Sequence, residues 1–136
     1  MEATIESGRT TAGPATILLR VGIICLTLAT AWIHYTLGSP LFLANAAGYV
    51  VLAVALILPG PLGRIRWLVR LALLGFTITT IAAWVAFGAR FELAYIDKAI
   101  EVALVALLGL DILHSDGGPL ALARRGRRLV TQLLGA

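Results

Sequence analysis

The chain has 136 residues; 60% are hydrophobic and only 13% are charged, with mean hydropathy +0.95 and a formal net charge of +4. A soluble domain carries about 25% charged residues, so this composition excludes a water-soluble globule and, equally, a disordered chain. The single cysteine, Cys25, excludes an intramolecular disulfide, a cysteine zinc cluster and a CxxC redox pair.

Residues 1–14 read as a cytoplasmic tail. Four apolar stretches follow. Those at 15–35, 67–87 and 93–113 are long enough to cross a bilayer as helices, and 41–58 lies at the low end of that range. Gly38-Ser39-Pro40, Pro59-Gly60-Pro61-Leu62-Gly63 and Gly88-Ala89-Arg90 separate them. Such short connections make neighbouring helices antiparallel, and no stretch alternates with the period of a strand. Ala29-Thr30-Ala31 resembles a signal-peptide cleavage site. Arg20 interrupts that stretch, however, and Glu2 and Glu6 precede it, so it reads as a span. The expected fold is an all-α membrane protein: four transmembrane helices over 15–113, paired as two antiparallel hairpins, and a basic tail at 114–136.

Orientation follows from Lys and Arg. With the N-terminus inside, Arg9, Arg20, Arg64, Arg66, Arg70, Arg124, Arg125, Arg127 and Arg128 lie on the inner side, and only Arg90 and Lys98 lie outside. The positive-inside rule then places both termini in the cytoplasm, with a bacterial or archaeal cell membrane as the expected location. The basic groups suit anionic lipid headgroups, and nothing points to nucleic acid.

A shift of 50 residues aligns Arg20 with Arg70, Thr27 with Thr77, Thr30 with Thr80, Gly38 with Gly88, Leu43-Ala44 with Leu93-Ala94, and Ala53 with Ala103. Duplication of a two-helix hairpin accounts for this. So does convergence on one recipe, with Arg at the inner end, small polar residues mid-span and Gly at the turn. Duplicated hairpins would be related by an axis along the membrane normal. Arg20, Thr27, Thr30 and His34 fall on one helical face, as do Arg70, Thr77, Thr80 and Trp84. Both faces are expected to point into the bundle, where hydroxyls find partners.

The fourth stretch carries the most chemistry. Asp97, Glu101 and Asp111 lie within about 80° around a helix, with Leu104 and Leu108 between them. Glu101 sits about 12 Å from the outer end, where an ionised carboxylate needs a partner. Lys98 is three residues away and can neutralise it. Asp111, Arg20 and Arg70 lie at one depth near the inner boundary, so Asp111 is expected to pair with Arg70 or Arg20. The charges read either as helix-to-helix pairing or as a proton- or cation-coupled path. For Asp111 the pairing reading is preferred; for Asp97, Lys98 and Glu101 both stand.

The outer end gathers His34, Tyr35, Asn45, Tyr49, Trp84, Arg90, Tyr95, Asp97 and Lys98, which read as a polar pocket open to the outside, with His34, Asn45, Arg90, Asp97, Lys98 and Glu101 as the candidate polar or ion site. Trp32, Tyr35, Trp84 and Tyr95 read more simply as an interfacial aromatic belt. His34 and His114 fall on opposite sides and cannot share a haem. No metal-ligand or nucleotide-binding motif is present, so no cofactor is expected. Gly109 and the stretch 44–48 are expected to let helices approach closely. In size and span number the chain resembles the small multidrug transporters. Those carry an essential carboxylate in the first span, and this first span has none, so no residue is carried over.

In the tail, Pro119 suits the first turn of a helix whose leucines oppose Arg124, Arg125, Arg127 and Arg128. This reads as an amphipathic helix in the cytoplasmic interface, or else as a solvated stop-transfer tail. Each arginine near anionic lipid contributes about 1 kcal/mol.

The expected function is non-enzymatic: association as a homo-oligomer or as an accessory subunit of a membrane complex. The alternative is a small ion- or proton-coupled transporter or channel using Asp97 and Glu101. A third and weaker reading is a membrane enzyme or quinone-binding redox subunit using His34.

Overall fold

The computed structural model describes residues 13–115 and 117–135, so Glu2, Glu6 and Arg9 of the expected cytoplasmic tail lie outside the described residues. Among those described, all regular structure is helical: α1 (Pro14–Leu37), α2 (Pro40–Ile57), a single turn α3 (Pro61–Arg64), α4 (Arg66–Phe87), α5 (Glu92–Ser115) and α6 (Pro119–Leu134).

The ends of these helices follow from local chemistry. Proline opens α1 and α2, where its missing N–H is no loss and its fixed φ suits the first turn. Gly38 closes α1 in the left-handed region, with φ 70°, and its N–H bonds the Tyr35 carbonyl at 3.2 Å. Ser39 then caps α2 through the Phe42 N–H at 3.5 Å. Pro59 holds Leu58 extended and stops α2. The break expected at 59–63 contains α3, a turn that starts after Gly60 at φ 85°. Glu92 stands in the first turn of α5, where a negative charge suits the dipole.

Helices α1, α2 and α4 are long and apolar enough to cross a membrane. α5 matches α1 in length, at 24 residues, but differs in kind: it holds Glu92, Asp97, Lys98, Glu101 and Asp111. Of these, Asp97, Lys98, Glu101 and Asp111 are buried.

α1 packs on α2 and α5, and α4 packs on α5 and α2, which makes a ring of four antiparallel helices. Its centre is layered along the axis. Ile23, Leu73, Leu104 and Leu108 form an apolar middle layer. On one side lies a polar layer from Thr30, His34, Tyr49, Thr80, Asp97, Lys98 and Glu101; on the other lie Arg20, Arg70 and Asp111. About 15 Å of helix separates Glu101 from Asp111. Thr27 and Thr77, expected to seek partners across the bundle, instead bond the carbonyls four residues back in their own helices, at 2.7 and 2.8 Å.

At the 50-residue offset the buried threonines coincide, Thr27 and Thr30 of α1 with Thr77 and Thr80 of α4, but buried His34 falls on half-buried Trp84, which was expected to face inward. The offset does not hold for the second helix of each hairpin. α2 buries Ala46, Tyr49 and Ala53, whereas α5 buries Ala94, Asp97 and Glu101. Those faces align at 48. Ala103, the expected partner of buried Ala53, is exposed. The turns differ as well: Gly38 is left-handed and Gly88 is extended, with φ −74°.

Close approach occurs at Gly48, where a Cβ would meet Phe76 Cζ at 2.7 Å. Gly109, expected to serve the same purpose, has open space around it.

α6 extends beyond the ring and runs without a break through Gly126. Leu122 is buried, while Leu120, Val130, Leu133 and Leu134 are exposed.

Candidate functional site

The polar layer is built on α5 and completed by the three apolar helices. Asp97 and Glu101 are one turn apart, so both carboxylates point into the ring. Glu101 is 0% exposed. Its Oε1 accepts from Tyr49 OH of α2 at 2.8 Å and from Thr80 Oγ1 of α4 at 2.9 Å. Its Oε2 accepts from Lys98 Nζ at 2.5 Å. Lys98 Nζ also reaches Asp97 Oδ2, at 3.0 Å. The other oxygen of Asp97 accepts from Thr30 Oγ1 of α1 at 2.6 Å. Every ring helix therefore contributes a side chain, and every carboxylate oxygen has a donor.

His34 flanks the cluster. Its Nδ1 lies 2.9 Å from the Thr30 carbonyl, which can only accept, so Nδ1 carries a proton. The same atom is 3.6 Å from Asp97 Oδ1, which is ion-pair range but beyond a hydrogen bond. The ring is wedged between Phe42 and Tyr49, both at 5.7 Å between centroids.

His34, Asp97 and Glu101 each offer a donor atom, all within 4.8 Å of one another. Two carboxylates and an imidazole form a plausible donor set for a divalent cation in chemical type. Lys98 already supplies positive charge between the carboxylates, and a metal ion would have to displace it.

The second cluster centres on Asp111 of α5. Arg70 Nε of α4 lies 2.7 Å from Oδ2, and Arg20 Nε of α1 lies 3.7 Å from Oδ1. Ser115 Oγ donates to Oδ1 at 3.1 Å. One aspartate thus joins three helices, at the depth where their positions along each helix place them.

Two candidates stand apart from the polar layer. Arg90 is exposed and stacks 4.1 Å over the Trp84 ring, with Nη2 on the Val85 carbonyl at 2.9 Å. Asn45 is half-buried and makes no side-chain hydrogen bond to a described residue. It lies about 40° to one side of Tyr49 and a turn nearer the helix start, while the buried stripe of Ala46, Tyr49 and Ala53 runs to the other side. Conversely, Tyr49, Thr30 and Thr80 belong to the cluster as direct hydrogen-bond donors, a role that pattern alone did not assign. The repeated threonines on the inward stripes were the available signal for two of them.

The aromatic residues meet in pairs, Trp32 with Tyr35 at 5.8 Å and Trp84 with Tyr95 at 5.2 Å. His34 is buried at the end of α1, and His114 is exposed at the far end of α5, where its Nδ1 caps the Leu110 carbonyl at 2.7 Å. Arg124, Arg125, Arg127 and Arg128 are all exposed on α6.

Comparison with protein-family models, curated proteins and solved structures gives no match. The chemistry of the site therefore rests on its own residues.

Proposed function

We propose that this chain is a small integral membrane protein that works by association rather than by catalysis. In this reading α1, α2, α4 and α5 all span the bilayer, both termini are cytoplasmic, and α6 lies in the inner interface with its arginines on anionic headgroups. The carrying observation is that fully buried Glu101 is satisfied from within, by Lys98, Tyr49 and Thr80. An ionised group near the bilayer centre costs about 2.5–3.5 kcal/mol on insertion scales, and this network offsets that cost while binding four helices together. It leaves the outward faces apolar and available for partners. Between α1 and α2 they form an apolar groove lined by Leu28, Ala31, Trp32, Ala47, Val50 and Val51. Its alanines would let a further helix approach closely.

The partner favoured here is a second copy. In a Cys25→Ser background, Ala47→Cys should crosslink to a dimer in native membranes, and a lipid-facing control such as Val102→Cys should not. A chain that remains monomeric in membranes and in detergent, with no crosslink at either position, would reject homo-association.

A second reading is favoured by charge balance. Asp97 and Glu101 bring two negative charges against the one positive charge of Lys98, and His34 stands 3.6 Å from Asp97. One further proton or small cation would make the cluster neutral, as a proton-coupled carrier requires. Reconstituted vesicles carrying a pH dye separate the two. A proton flux that disappears in Glu101→Gln supports coupling; equal behaviour of both proteins and empty vesicles removes it.

A further inference from the structure

At the end of the bundle that carries Arg20 and Arg70, a third arginine stands close to Asp111. Arg66 lies four residues before Arg70, on the same side of α4. Arg20, Arg66, Arg70 and Asp111 line one cavity of about 80 Å3, whose remaining walls are aliphatic, among them Leu56 and Leu108. That is several times the ~10–15 Å3 that a single water needs. Among the described residues, three guanidinium groups and one carboxylate thus line this cavity.

The donors are also under-used. The Nε–H groups of Arg20 and Arg66 are both shielded from solvent and lack a hydrogen-bond partner. Arg66 Nη2 reaches the Leu58 carbonyl and Arg20 Nη2 reaches Ser115 Oγ, each at a long 3.4 Å. Buried donors without acceptors are unfavourable, and a cavity lies beside them.

We infer that this cavity binds one phosphate group, free or esterified. Planar guanidinium forks match phosphate oxygens two at a time. A phosphate brings several acceptors and one or two negative charges, which suits the idle donors of Arg20 and Arg66. Chloride would offer a single centre to donors spread over two helices. The aliphatic walls suit the carbon side of an ester. A phospholipid headgroup and a free phosphate share this chemistry; the lipid source rests on the membrane reading above, and free phosphate does not.

The test is a thermal-stability titration of the full chain in a neutral detergent, with three additives. These are inorganic phosphate, dihexanoyl phosphatidylglycerol and dihexanoyl phosphatidylcholine, each at matched ionic strength in sodium chloride. The expected result is a saturable rise in Tm of several degrees with phosphatidylglycerol, with inorganic phosphate, or with both, and little with phosphatidylcholine. A rise with the anionic lipid alone assigns the headgroup; a rise with inorganic phosphate assigns the free anion. Arg66→Gln should abolish the rise, and Arg66→Lys, which keeps the charge but not the fork, should weaken apparent affinity several-fold. Arg90→Gln, exposed at the opposite end of the bundle, should leave it intact. Should Arg66→Gln fail to fold, Arg66→Lys against Arg90→Gln carries the comparison. No rise with either anion, or a rise equally affected by Arg66 and Arg90 substitutions, overturns the inference. Association of the chain can fail without touching this result, since the cavity lies within one protomer.

Discussion

Asp111 holds two arginines unequally. Arg70 is nearly buried and meets it at 2.7 Å, whereas the Arg20 side chain is 38% exposed and stands at 3.7 Å. Removing one partner of a buried pair strands the other, at about 3–5 kcal/mol, while an exposed pair contributes about 1 kcal/mol or less. Asp111→Asn should therefore lower stability by about 3 kcal/mol and Arg20→Gln by no more than about 1 kcal/mol. Unfolding in detergent followed by circular dichroism would check this order; equal losses would contradict it. Tyr49 gives a second test. Tyr49→Phe keeps the ring against Phe76, at 4.9 Å, and deletes one of four hydrogen-bond donors to Glu101. The expected loss is about 1–3 kcal/mol, the range for a buried group left short of a partner, measured by the same unfolding. At this scale the sequence was readable where depth alone sufficed, as for Arg20, Arg70 and Asp111. It placed Tyr49 at the right end but not on Glu101, and it put Asn45 in a cluster that Asn45 does not join. α2 is apolar on nearly every side, so nothing in its pattern distinguishes the inward face from one 40° away.

Between elements, Phe76 of α4 fills the space that a Cβ at Gly48 of α2 would need. Gly48→Ala must displace that ring, and overpacking of this kind costs about 1–3 kcal/mol. Gly75, on α4, has nothing within 4 Å of its missing Cβ. Gly75→Ala should then be neutral or stabilise by up to about 1 kcal/mol through helix propensity. Opposite signs of ΔTm for the two variants would support this account, and a stabilising Gly48→Ala would contradict it. Sequence treats these glycines, and Gly109, alike; only packing distinguishes them. Helix limits were more legible. Proline starts, the Gly38 end and the Pro59 stop are local rules, and the observed helices begin and end within two residues of the expected stretches. The offset between hairpins was half legible. Arg, Thr and Thr mark the buried face of α1 and α4, but Leu and Ala occur on every face of an apolar helix. Their alignment at 50 therefore carried no information about α2 and α5.

For the whole chain, the positive-inside rule gives a direct test of topology. Ala89→Cys and Gly126→Cys, each in a Cys25→Ser background, should differ in reaction with an impermeant maleimide in intact cells, with labelling only at the exposed position 89. Labelling at Gly126 from outside would reverse the orientation. All-α architecture was plain from composition and period, because sixty per cent apolar residues in helical stretches admit few alternatives. What composition could not convey is the uneven division of labour, with three helices of lipid-like character and a fourth, charged one closing the ring.

That division bears on how the protein is made. α5 leaves the ribosome after α1, α2 and α4, and the partners of its buried carboxylates are already present: Thr30 on α1, Tyr49 on α2, and Thr80 and Arg70 on α4. Alone at the translocon it would meet lipid with several charges, each costing about 2.5–3.5 kcal/mol near the centre. In the proposed four-span reading, insertion of α5 is thus conditional on its predecessors, and α5 doubles as a check that α1, α2 and α4 are in place. Glycosylation mapping would reveal this as poor insertion of α5 grafted alone, efficient insertion behind α1 to α4, and an intermediate yield when Tyr49→Phe and Thr80→Val are combined upstream.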